Sequence, residues 1–312
     1  GIYVKDKNAM KNVIPEYKLG TDLYGARNIL VKVDDSTTTK KYDSNGNLVE
    51  NSSDKDENNE NITEVEEKVN SDELRTAENY ETVKNIKKLK DKKYRDEAGL
   101  YIIEGVKMIE EAIVANAKID KIVVCEECLK TGDIEQKLLY EIAKYDCIYV
   151  NAKVFNFLTD VVAPQGILAV LEKPSKTEKI QYDQDIILAL DGIQDPGNLG
   201  TILRTVDSVG LNQILVSKGT ADCYNPKVVR STMGAIFRVK IIECENLEKT
   251  LKEVRKHKFK LVVTSLQTEK SLYDVKFDKK VIVIGNEANG VEPNIQDMAD
   301  EKAKIPMLGR TE

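Results

Sequence analysis

The stretch Asp191-Gly-Ile-Gln-Asp-Pro-Gly-Asn-Leu-Gly-Thr-Ile-Leu-Arg-Thr205 gathers carboxylate, amide, three glycines and an arginine into one short segment. Arg204 offers a planar, permanently charged fork that suits phosphate and stays protonated, so it can hold a phosphate or polarise a hydroxyl but cannot act as a base. Its bland reading is a structural salt bridge, to Asp195 or Asp207. Asn198 sits at or next to a helix start, where asparagine is among the best N-caps, and it can serve a site as well. A second stretch, Val281-Ile-Val-Ile-Gly-Asn-Glu-Ala-Asn-Gly-Val291, places Glu287 between Gly285 and Gly290. Glycines there let the backbone approach a flat ligand closely. The carboxylate can orient a hydroxyl, accept a proton, or simply favour a helix start through the dipole.

Both stretches begin on a strand. The apolar run Ile186–Leu190 leads into the turn Asp195-Pro-Gly197, and Leu199, Ile202, Leu203, Val206 and Val209 follow at helical spacing. That is strand, loop, helix, with the polar groups at the carboxyl end of the strand, where open α/β sheets place ligands. From residue 185 the pattern predicts strands over 186–190, 213–217, 238–242, 259–263 and 280–284. Helices are predicted over 198–209, 226–233, 246–256 and 292–300. An earlier α/β domain, 84–172, alternates strand and helix from Leu100 to Leu171, and residues 173–184 form a polar linker. Lys87, Lys88, Lys90, Lys92, Lys93 and Arg95 form a basic run ahead of its first strand. Such a run suits an RNA backbone, or else a solvated helix face.

At 312 residues, 41% hydrophobic and 32% charged, the chain has room for about two domains and a real core. Its net charge of −6 hides an asymmetry. Residues 34–81 hold fifteen Asp/Glu against five Lys/Arg, so removing their −10 leaves the rest at +4. Mild basicity of that kind permits RNA binding. The acidic stretch has few large apolar residues and is expected to be disordered or loosely ordered. Within it, Tyr42-Asp-Ser-Asn-Gly46 is a candidate hairpin. Residues 1–33 read as a short β-rich segment. No apolar run approaches a membrane span and no signal peptide is visible, and the five unpaired cysteines suit a reducing, cytoplasmic setting. Cys125 and Cys128 form a lone Cys-x-x-Cys, read as a solvent-side loop rather than a metal site.

The two chemical stretches resemble the first and second motifs of the SpoU-type (TrmH-like) RNA ribose methyltransferases of the SPOUT superfamily. Ile305-Pro-Met-Leu-Gly309 resembles the start of the third. The resemblance spans roughly residues 84–312. It implies transfer of a methyl group from S-adenosylmethionine to a ribose 2′-hydroxyl of RNA, ribosomal RNA first and transfer RNA second. The alternative is an RNA-binding relative without activity, or an incomplete fragment. The fold implied is α/β: a SPOUT-type parallel sheet with a trefoil knot, preceded by a ribosomal-protein-like substrate-binding domain. The family places Asn198, Arg204 and Glu287 in the active site. It places cofactor contacts at Thr264, Ser265, Leu266, Gly285, Gly290, Ile305, Met307 and Leu308, and RNA near Arg230. It also implies a homodimer. Because the third motif runs on past Glu312 in the family, the knot and dimer interface are expected to be incomplete here. Leu19-Gly-Thr-Asp-Leu-Tyr-Gly25 resembles a motif of the SecD component of bacterial protein export, with Ala26 in place of its second glycine. It implies a fusion with a seam near 79–86.

Overall fold

The computed structural model describes residues 28–30, 41–42, 48–49, 77–131, 134–175, 179–307 and 309. The SecD-like stretch and Leu308 lie outside these residues, as does the acidic segment apart from its two short strands and residues 77–81. Contacts divide the chain into two compact units. One joins the described residues up to Leu89 with Ile119–Val170, and the other joins Lys90–Lys118 with the chain from Leu171 on.

The first unit opens with β1 (Asn28–Leu30), then β2 (Lys41–Tyr42) and β3 (Leu48–Val49), then α1 (Ala77–Lys88). β2 and β3 pair antiparallel, Tyr42 opposite Leu48, and the turn residues expected between them lie outside the described residues. α2 (Lys92–Ala98), β4 (Leu100–Glu104) and α3 (Val106–Val114) belong to the second unit. The chain then returns to the first for β5 (Ile119–Cys125), α4 (Glu126–Thr131), α5 (Gln136–Ile142), β6 (Cys147–Val150), α6 (Ala152–Leu158) and β7 (Ile167–Glu172). Within this unit the strands run β1-β6-β5-β7. β7 is buried along Ile167–Leu171, which requires cover on both of its faces. The Cys-x-x-Cys pair is not a solvent-side loop. Cys125 closes β5 in the core, where burial pushes its thiol up to about 12, and Cys128 sits in α4.

The second unit continues with β8 (Ile186–Asp191), α7 (Pro196–Ser208), β9 (Gln213–Ser217), α8 (Pro226–Ser231), β10 (Lys240–Cys244) and α9 (Leu247–Lys256). It ends with β11 (Lys260–Thr264), β12 (Lys280–Gly285), α10 (Pro293–Asp297) and β13 (Glu301–Ala303). The six strands run β10-β9-β8-β12-β11-β13, every pair parallel. Ile187, Ala189, Leu261, Val263, Val281 and Val283 interdigitate in one core with Leu251 and Val254 of α9. Ahead of the sheet, the fully buried Gln213 acts as a substitute for strand backbone. Its amide oxygen accepts from Gln181 N at 2.9 Å and its nitrogen donates to Gln181 O at 2.5 Å, which fastens the end of the linker.

This topology makes a cleft. From β8 the chain leaves toward β9 and β10, whereas from β12 it leaves toward β13, on the far side of β11. The loops after two adjacent strands therefore diverge, which is the condition for a binding crevice at a parallel sheet's carboxyl edge. Asp191 and Gly285 are register partners at that edge. The loop after β12 folds back on its own strand, with Asn286 and Gly290 exchanging two 2.9 Å backbone hydrogen bonds. Gly290 takes φ +70°, and a Cβ on Gly285 would lie 2.2 Å from the Gly290 carbonyl carbon and from Val291 N. Because those atoms are backbone, they cannot swing aside. Gly285→Ala is expected to destabilise the protein by about 3 kcal/mol, the upper part of the overpacking range, read from urea unfolding monitored by circular dichroism. A midpoint equal to wild type would show that the loop yields freely.

Candidate active site at the sheet's carboxyl edge

Four interactions build the site's floor. Asp191, buried at the end of β8, accepts Glu292 N at 2.8 Å. Gly192 N donates to Ser217 Oγ at 2.9 Å, with Gly192 at φ +72°. Asn286 Nδ2 donates to Gly192 O at 2.8 Å, bridging the two loops. Asn286 Oδ1 accepts from Ala288 N and Asn289 N, both at 2.9 Å, shaping the turn that carries Glu287. Asp191, Ser217 and Asn286 went unnoticed as site-building residues. Asn286 did carry a signal, because asparagine in a short glycine-bounded loop commonly bonds backbone two residues on.

The cap of α7 falls to Asp195 rather than Asn198. Asp195 Oδ1 accepts Asn198 N at 2.8 Å, and Pro196 occupies the first turn. The Asn198 side chain is thereby released, and its Nδ2 donates to Glu287 Oε1 at 2.9 Å. Gln194 N lies 3.4 Å from Glu287 Oε2. The two motif loops thus meet through an amide–carboxylate bond. The Asn198 amide, helped by backbone N–H groups, holds the Glu287 carboxyl below the usual glutamate range, while burial opposes it.

Arg204 stands one turn beyond Gly200 on α7, exposed to solvent. Neither partner of the salt-bridge reading takes it. Asp195 caps the helix, and Asp207 is bound by Arg238 through Nη2 at 2.8 Å and Nε at 3.0 Å. Among the described residues Arg204 forms no ion pair. A Cβ on Gly200 would lie 2.4 Å from Ser231 Cβ, so α7 and α8 press together here. Arg230, beside Ser231, is exposed as well.

The expected cofactor positions gather at the neighbouring strand ends. Thr264 Oγ1 donates to Val283 O at 3.1 Å, tying β11 to β12. Ser265 N donates to Ala303 O at 3.0 Å, and Ser265 Oγ accepts Gln267 N at 3.2 Å. Leu266, Ile305 and Met307 are 70%, 54% and 57% exposed, an unusual display of large apolar side chains close to a sheet edge. Gly285 and Gly290 leave the two ends of the adjoining loop without side chains.

The basic run divides between two helices. In α1, Lys87 donates to Phe157 O at 2.5 Å and Lys88 to Asn85 Oδ1 at 3.2 Å. In α2, Lys92 pairs with Asp96 at 2.8 Å, and Lys93 lies 5.7 Å from the centre of the Tyr94 ring. Lys90, between them, is half-buried and its carbonyl accepts from Arg95. Arg95 is a correction: it is 1% exposed, its guanidinium is bound to Asp222, and it is not available to an RNA phosphate.

Comparison with known proteins bears on this geometry. The sequence pattern of the SpoU rRNA Methylase family matches residues 185–312, and that of an MRM3-like substrate binding domain matches residues 80–169. The 23S rRNA (guanosine(2553)-2′-O)-methyltransferase RlmP of Bacillus subtilis is 30% identical over 240 residues, covering 77% of this chain and 92% of the relative. The chain belongs to the SpoU rRNA methylase family. Mitochondrial rRNA methyltransferase 3 of Xenopus tropicalis is 36% identical over 163 residues, 49% of this chain and 37% of that one. The AdoMet-bound rRNA methyltransferase from Sinorhizobium meliloti superposes with a TM-score of 0.64 at 28% identity, over 77% of this chain and 89% of its own. The two family patterns together cover residues 80–169 and 185–312.

The Asn198–Glu287 bond sets an expectation. In Asn198→Ala the Glu287 carboxyl should rise toward the free value of about 4.3, followed by NMR titration. Because the folded value is depressed, the bond's contribution to stability is present above the unfolded pKa and is lost as pH falls through the folded one. The variant should accordingly lose less stability on acidification than wild type. An unchanged Glu287 titration would rule out the amide as its cause.

Proposed function

We infer that the protein transfers a methyl group from S-adenosylmethionine to a ribose 2′-hydroxyl of ribosomal RNA. The observation that carries this is the Asn198–Glu287 bond, which joins the loops after β8 and β12 at the switch point while Arg204, on the same helix as Asn198, is exposed and forms no ion pair among the described residues.

The residues present fit the cofactor. A loop folded over a side-chain-free Gly285, with exposed Leu266, Ile305 and Met307 close by, suits a flat, partly apolar adenosine, and Ser265 supplies polar contact. Bound there, S-adenosylmethionine would supply an electrophilic methyl on a sulfonium. The protein's own share is positioning and charge. Glu287, held below the ordinary glutamate range, is a poor base at neutral pH, since proton abstraction favours a group whose pKa lies near the working pH. Its role is to accept a hydrogen bond from the ribose hydroxyl and fix its direction, with Asn198 fixing Glu287, and the hydroxyl proton leaves to solvent water as the methyl is taken up. Arg204 lowers the energy of negative charge developing on the hydroxyl oxygen, or holds the adjoining phosphate.

RNA would be bound by residues 84–172 through Lys87, Lys88, Lys90, Lys92 and Lys93, and by Arg230 on α8, with methyl transfer carried by 185–312. Transfer RNA is the second substrate to test. A homodimer is the assembly to test, and the cytoplasm is the compartment we assign. Among the described residues no helix is long and apolar enough to cross a membrane.

Arg204→Ala is expected to cut kcat for tritiated methyl transfer to 23S rRNA by about 100- to 1000-fold, as the loss of a charge-stabilising donor does elsewhere. Its affinity for S-adenosylmethionine should stay within about twofold, because the side chain belongs to the RNA side. An active variant would remove Arg204 from the chemistry, and wild-type protein with no transfer to any RNA would remove the reading itself.

A further inference from the structure

Arg95 belongs to the second unit yet lies far in sequence from the loops that do the chemistry. Its guanidinium donates twice to Asp222 Oδ2, from Nη2 at 2.5 Å and Nε at 3.1 Å, and once to Lys90 O from Nη1 at 2.7 Å. The Asp222 side chain is 7% exposed, so the pair is almost dry. Its other oxygen, Oδ1, accepts Tyr224 N at 3.0 Å. Tyr224 packs on Tyr101 with ring centres 4.9 Å apart, and Lys173 Nζ lies 5.2 Å from its centre.

What Asp222 anchors is the loop from Ser217 to Asn225, and that loop touches the site along its length. Ser217 Oγ accepts Gly192 N, Thr220 Oγ1 donates to Leu190 O at 3.4 Å, and Ala221 N donates to Ile193 O at 2.8 Å. Ile193 directly precedes Gln194, whose N–H faces Glu287. At its far end, Asn225 N donates to Asp222 O at 3.0 Å, and Asn225 Oδ1 caps α8 by accepting Lys227 N at 2.9 Å. One buried fork is thus linked by successive hydrogen bonds to the Gly192–Gln194 loop and to the helix presenting Arg230.

A buried ion pair contributes little net stability against an apolar pair of the same volume, because desolvation offsets its attraction. What an apolar pair cannot reproduce is direction: two N–H bonds from one rigid plane fix where Asp222 Oδ2 sits, and a third, to Lys90 O, holds the plane itself. We propose that Arg95 is a positioning residue for RNA methylation, holding loop 217–225 through Asp222 so that the Gly192–Gln194 loop and α8 meet the target ribose in register. This rests on the methyl-transfer reading above.

The test replaces the pair with Arg95→Met together with Asp222→Leu, and compares it with wild type on unmodified 23S rRNA transcribed in vitro. The double variant should unfold within about 3 °C of wild type, because both charges leave together. It should bind S-adenosylmethionine within about twofold of wild type, yet lose at least about tenfold in kcat/KM for RNA, since small misplacements are costly to an aligned reaction. Arg95→Lys keeps the charge without the fork, and should be folded with an intermediate loss. It decides the matter if the double variant does not fold. RNA kinetics equal to wild type in a folded double variant, or in Arg95→Lys, would overturn the proposal. Absence of transfer by wild type would instead overturn the methyl-transfer reading.

Discussion

Parallel pairing of β8 with β12 ends two strands at the same height while sending their chains in opposite directions. Everything at the site follows from that constraint. Asp191 and Gly285 face each other across the pair, so the loops beginning one residue later start within hydrogen-bonding reach. Asn286 closes the remaining gap through Gly192 O, and Glu287 arrives opposite Asn198 as a consequence. A slip of register along either strand would break the Asn286 bridge and the Glu287 contact together.

Division of labour among similar side chains is the second theme. Two aspartates and two asparagines lie within a short reach, and each has a different task. Asp195 satisfies one orphan N–H of α7, that of Asn198, and Asp191 takes Glu292 N. Asn286 shapes its own turn, and Asn198 is left to carry Glu287. The same economy holds among cations. Arg238 absorbs Asp207, which would otherwise compete for Arg204 one turn away, and the fork of Arg95 is turned inward. Chemistry at this edge depends as much on these structural pairings as on the groups they leave free.

Much of the second unit could be read from its residues. Continuous apolar runs at Ile186, Val281 and Leu261 marked buried strands within a residue or two of their ends, whereas their parallel pairing was implied only by the family resemblance. The illegible parts share a cause, which is dependence on distant partners. β13, Glu301-Lys-Ala303, is too short to show a period, and its strand character comes from β11 together with the Lys280–Glu301 pair. Helices α1 and α2 were hidden in a lysine-rich run with few apolar residues. Arg95 looks like its neighbours because nothing within several residues reveals that its counter-ion is Asp222. The Asn198 cap was misassigned by one helical turn, although Pro196 at the first helical position already pointed to Asp195.

The second unit is discontinuous in the chain, and this has a bearing on how it is made. Residues 90–118 leave the ribosome well before their partners, and 127 residues separate Arg95 from Asp222. At bacterial-to-eukaryotic synthesis speeds of roughly 5–20 residues per second, that gap lasts on the order of 6–25 seconds. Throughout it the arginine that ends as the largest fully buried side chain among the described residues must remain hydrated, and α2 has at first only β4 and α3 of its own unit to dock on. Completion of this unit is therefore a late, nonlocal event in biosynthesis, and the catalytic edge matures only when its earliest-made piece is recruited back.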